Sequence, residues 1–120
     1  MLTLLQINDA FRINRPALSI KDVRQRVADG WAPEFGVIVL SRPSDGLLTE
    51  DDRDFIWNAL GVPAFNHLVD EDGRVLAREC DAHDGLHVEA PLPSVYRDRV
   101  ISEACPCGRP GDRLMTDAII

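Results

Sequence analysis

Three observations predict an α+β fold in which two short helices and a strand precede a β-rich, zinc-ribbon-like C-terminal half. Two capping signals, at Ser19 and Thr49, each open a stretch with apolar residues at helical spacing. A β-branched run, Phe35-Gly-Val-Ile-Val-Leu40, lies between them and reads as a buried strand. From Ala64 onward, short apolar runs alternate with turn residues, and this half holds the cysteines and histidines. A chain of 120 residues has room for one compact core, so residues 1–120 are expected to form a single domain.

Each element has a local reason. Residues 1–18 carry Leu2, Leu4, Leu5, Ile7, Phe11 and Ile13 without a clean period, and Asn14-Arg-Pro-Ala17 interrupts them. A segment this apolar and irregular suits docking to a partner. Ser19 with Asp22 forms a short capping box, Ile20, Val23 and Val27 make one helical stripe, and Gly30 stops it. Ser41-Arg-Pro-Ser-Asp-Gly46 is turn chemistry. Thr49 caps a second helix whose acidic first turn, Glu50-Asp-Asp52, complements the positive end of the helix dipole. Phe55, Ile56, Ala59 and Leu60 form its apolar face, and Gly61 and Pro63 end it. Strands follow over Ala64–Val69 and Arg74–Glu79, joined by the hairpin loop Asp70-Glu-Asp-Gly73. Weaker strands are expected over Leu86–Glu89 and Tyr96–Ser102, and Trp31 and Trp57 read as core or interface anchors.

Composition narrows the function. A net charge of −7 argues against a nucleic-acid backbone as partner. No apolar run approaches the roughly 18 residues of a membrane span, and Met1–Leu5 lacks the pattern of a secretory leader. The expected location is cytoplasmic. Lys21 is the only lysine, so no other position offers a Schiff-base amine. No phosphate-binding glycine loop, G-x-S-x-G elbow or H-E-x-x-H helix is present. The acidic stretches Glu50–Asp54 and Asp70–Asp72 read as a helix start and a turn.

Chemistry concentrates between Cys80 and Cys107, which hold five of the six cysteine and histidine side chains. An odd number of thiols does not suit a disulfide framework, whereas thiolate and imidazole are the preferred ligands of tetrahedral zinc. Cys80-Asp-Ala-His83 has C-x2-H knuckle spacing, and Cys105-Pro-Cys107-Gly108 supplies a tighter C-x-C pair. Asp84-Gly85 and Gly108 follow each pair and tolerate the turns required. The expected site is Cys80, His83, Cys105 and Cys107, with His87 and His67 as alternatives to His83. Such a filled set is structural, since no position remains for water or substrate. A competing use, a Cys80 nucleophile with His83 or His87 as base, lacks any sign of an oxyanion hole.

At Cys80 the sequence also meets a known family. The run from Cys80 to Pro93, with Leu-His and Val-Glu-Ala-Pro, resembles the small (gamma) subunit of acetone and acetophenone carboxylases, and Cys105–Gly108 resembles that family's C-x-C-G knuckle. There the first knuckle is C-x2-C, and His83 stands where its second cysteine would be. The two knuckles also occur in the opposite order. The resemblance implies an accessory, zinc-stabilised subunit in a hetero-oligomer, with ATP and bicarbonate handled by the larger carboxylase subunits. A second resemblance joins Asp72–Cys80, Asp84–His87 and Cys105–Arg109 to phenylacetate–CoA ligase-like adenylating enzymes, some of which carry a structural zinc. A free-standing zinc-ribbon module that binds a protein partner is the third reading.

Overall fold

The computed structural model describes residues 15–115, so most of the expected docking segment, residues 1–18, lies outside the described residues. Strand β1 (Ala17–Leu18) leads through helix α1 (Ile20–Ala28) to β2 (Val37–Ser41), and helix α2 (Glu50–Leu60) carries the chain on to β3 (Ala64–Val69). Then follow β4 (Val75–Glu79), β5 (Leu86–Val88), a 3-10 helix (Ser94–Arg99), β6 (Val100–Ile101) and β7 (Arg113–Leu114). The strands form one sheet in the order β1-β2-β3-β4-β5-β7-β6. The β1-β2 and β2-β3 pairs are parallel and all others are antiparallel. The mixed α+β class is therefore as the sequence indicates.

Both helices begin where their caps require. The Ser19 hydroxyl accepts the Asp22 N–H at 3.2 Å. At Thr49 the box is reciprocal: its hydroxyl accepts from Asp52 N–H at 3.1 Å, and its own N–H donates to the Asp52 carboxylate. Gly61 ends α2 at φ 69°, a left-handed conformation that glycine adopts without a Cβ penalty. The helices share one sheet face, where Val23 and Ile56 are fully buried against Val37, Val39 and Ala64. Arg24 on α1 pairs with Asp52 on α2 at 2.8 Å.

A second cluster, Leu68, Leu76, Ala77, Leu86, Tyr96 and Leu114, lies beneath the antiparallel strands. Between the two, fully buried Asn66 donates to Val39 O and Ser41 Oγ and accepts from Leu48 N–H, so none of its main polar groups is stranded.

Two expectations change, those for Tyr96–Ser102 and for Trp57. The strand expected over Tyr96–Ser102 is a 3-10 helix followed by two strand residues, because Pro93 starts a turn closed by Tyr96 N–H on the Pro93 carbonyl. Within the region expected to be zinc-ribbon-like, residues 64–116, the described residues continue the sheet that begins with β1 and β2. Trp57 is 58% exposed and so is no core anchor, whereas Trp31 packs beside the first cluster under the Arg26 guanidinium.

Candidate metal centre

Strand parity decides which side chains meet. On β4, Ala77 and Glu79 are buried toward the core, so Cys80, one residue on, points to the opposite face. On β5, Leu86 is fully buried and His87 is turned the other way. The register pairs Glu79 with Leu86 and Arg78 with His87, which sets Cys80 and His87 as same-face diagonal neighbours.

Two turns complete the group. His83 N–H bonds the Cys80 carbonyl at 3.0 Å, and Ala82 N–H donates to Cys80 Sγ at 3.4 Å. In the β6–β7 connection, Gly108 N–H closes on the Cys105 carbonyl at 2.8 Å, with Gly108 at φ 90°. Gly85 is needed for a different reason: at φ 86° its hypothetical Cβ would lie 2.7 Å from Met115 Sδ and 3.1 Å from the Leu114 carbonyl.

The result is a cluster of Cys80, His87, Cys105 and Cys107 whose ligand atoms all lie within 4.8 Å of one another. Cys80 Sγ and Cys105 Sγ are 3.5 Å apart, and Cys107 Sγ is 3.6 Å from His87 Nε2. A tetrahedral ion with metal–sulfur bonds of about 2.3 Å needs ligand separations of about 3.8 Å, so this group can hold a metal ion with small adjustments.

The expected fourth residue, His83, is elsewhere. Its Nδ1 hydrogen-bonds to Glu79 and its ring lies against Phe65, with centroids 4.7 Å apart. Glu79 is itself fixed by a two-pronged contact from Arg53, at 2.7 and 3.0 Å, and by the Asn66 N–H at 2.9 Å. The C-x2-H turn forms as expected, but it leaves His83 at φ 53° with its ring committed to this buried carboxylate. His67 is paired across the sheet with Arg78 and does not join the four.

Local electrostatics favour the metal-binding form at His87 and Cys107 and oppose it at Cys80. Burial lowers the His87 pKa, and the Arg109 and Arg113 cations lower it further, which favours a neutral imidazole with a free lone pair. The Arg109 backbone N–H lowers the Cys107 pKa and so favours its thiolate. Burial and the adjoining thiols push Cys80 up to about 11, the reverse of an activated nucleophile. The cluster borders a cleft of about 540 Å³. Its arginines are engaged by carboxylates, Arg78 and Arg109 with Glu89 and Arg15 with Asp81.

Fold and site together define an α+β chain with a three-cysteine, one-histidine cluster able to bind a metal ion. No family model matches the chain, and no curated protein matches it. Among the described residues, no helix is long and apolar enough to cross a membrane.

Proposed function

We propose that this chain is a zinc-stabilised, non-catalytic module serving a larger ATP-dependent assembly. The observation that carries the zinc reading is the convergence of four ligand atoms within 4.8 Å. Three soft thiolates and one imidazole converging on one point favour zinc over harder cations. A filled coordination shell leaves no place for substrate, so the metal's role is to hold the loops together.

The assembly we favour is an acetone or acetophenone type carboxylase, with this chain as accessory subunit beside larger subunits that handle ATP, bicarbonate and the ketone. The short likeness over Cys80–Pro93 and Cys105–Gly108 supports it. Three free thiols suit a reducing compartment such as the cytoplasm. The second reading is a piece related to phenylacetate–CoA ligase-like adenylating enzymes. The three stretches Asp72–Cys80, Asp84–His87 and Cys105–Arg109 contain all four clustered residues, in chain order.

Elemental analysis of the purified chain tests the metal. One zinc per chain is expected, lost on replacing Cys80, His87, Cys105 or Cys107 by Ala and retained in His83→Ala. Zinc retained in His87→Ala would refute this ligand set. Co-purification with the large carboxylase subunits tests the partner; a monodisperse chain that ignores them leaves the adenylating-enzyme reading in its place.

A further inference from the structure

Arg113 is a buried cation that neither core requires: it is 3% exposed, on β7, opposite His87 on one side and Ile101 on the other. Its guanidinium reaches two separate loops. Nη1 donates to the Asp84 carbonyl at 2.6 Å, in the loop between Cys80 and His87. Nε and Nη2 both donate to the Glu103 carbonyl at 3.3 Å, and Nη2 also reaches the Ala104 carbonyl at 3.3 Å, immediately before Cys105. The nearest carboxylate contact is Asp84 Oδ2 at 3.5 Å.

We propose that Arg113 is the positioning residue of the metal centre, holding the two ligand-bearing loops at the separation that tetrahedral coordination requires. This rests on the metal-site reading above. Burying a guanidinium is costly unless its donors are satisfied, and here they are spent on main-chain carbonyls flanking the ligands. A planar fork can serve both loops at once, whereas a lysine ammonium is a single point. A zinc ion with three thiolates and a neutral imidazole carries one net negative charge. The centre and the buried arginine paired with His87 therefore carry opposite charges.

Cobalt(II) titration of the full chain, followed by zinc competition, tests this. The cobalt bands report tetrahedral sulfur and nitrogen ligation, and the competition gives affinity. Wild type is expected to bind one ion. Arg113→Met should bind about 10- to 100-fold more weakly with altered cobalt bands, as for other groups that orient metal ligands. Arg113→Lys should fall between the two. Val23→Ala, which destabilises the distant helical core, should keep the wild-type affinity within about twofold, as expected for independent sites. Wild-type affinity and bands in Arg113→Met, or an equal loss of affinity in Val23→Ala, would overturn the positioning role. Should Arg113→Met not fold, wild-type affinity in Arg113→Lys overturns it instead. A wild-type chain that binds no cobalt or zinc would sink the metal-site reading itself, a separate result.

Discussion

The helical region, residues 15–69, and the hairpin region, residues 70–115, belong to one sheet but are held together by different physics. In the first, two capped helices bury Val23 and Ile56 on strands of five and six residues. In the second, β5 has three residues and β6 and β7 two each, and the buried set includes the polar side chains Glu79, His87 and Arg113. Strands that short contribute few ladder bonds, and this end of the sheet carries the Glu79 and Arg113 side-chain ties and the cluster able to bind a metal ion. The three thiols and the imidazole lie at the end of the sheet whose last strands have two or three residues each, where the proposed zinc would add most to the ties already there.

The largest test of that division is removal of the proposed zinc. Structural zinc sites are worth about 10–16 kcal/mol in small peptides. Chelation should therefore abolish amide-exchange protection at Leu86–Val88 and Arg113–Leu114 while Val37–Ser41 remains protected. Simultaneous loss in both regions would erase the distinction. Next comes Glu79→Ala, which removes the carboxylate shared by the Arg53 guanidinium, the Asn66 N–H and His83 and should cost about 3–5 kcal/mol in denaturant unfolding. Because this carboxylate joins α2, β3 and β4, its loss should also separate the unfolding of the two regions. Ile56→Ala should cost about 2–5 kcal/mol and leave zinc stoichiometry unchanged. A change in metal content would show that the helical core supports the site directly.

The mildest test uses pH. Burial, aided by Arg78 and opposed by Glu79 and Glu89, lowers His67 from 6.5 to about 4. The unfolded chain therefore takes up this proton first. The stabilisation from keeping His67 neutral is complete above about pH 6.5 and is lost as pH falls toward 4. An imidazole titration by NMR should place the His67 midpoint near 4; an ordinary midpoint would contradict its burial.

Much of the helical region was legible because its signals are local. Ser19, Thr49 and Gly61 act through bonds to residues three or four positions away. The Asp70–Gly73 loop is equally local: the Asp70 carboxylate accepts from Asp72 and Arg74 N–H. That the three thiols converge on one place was legible from their type and spacing. The choice of His87 over His83 was not, because it depends on the β4–β5 register and on Glu79 being buried, which are non-local facts. Strand alternation does contain the signal: once Leu86 is assigned to the core, His87 must face away from it. The β7 strand is too short to register as a pattern, and the 3-10 turn at Tyr96 exploits a proline that reads equally well as a strand boundary.

Strand β3 is parallel to β2 on one edge and antiparallel to β4 on the other. Its hairpin loop is exposed at Glu71, Asp72 and Gly73, while the β3–β4 ladder and the Arg53–Glu79 contact span the cut that a protease would make there. A chain nicked in this loop would stay assembled as two complementary pieces, separating only in denaturant. The loop is therefore a natural point at which to split the protein and have its fragments find each other again.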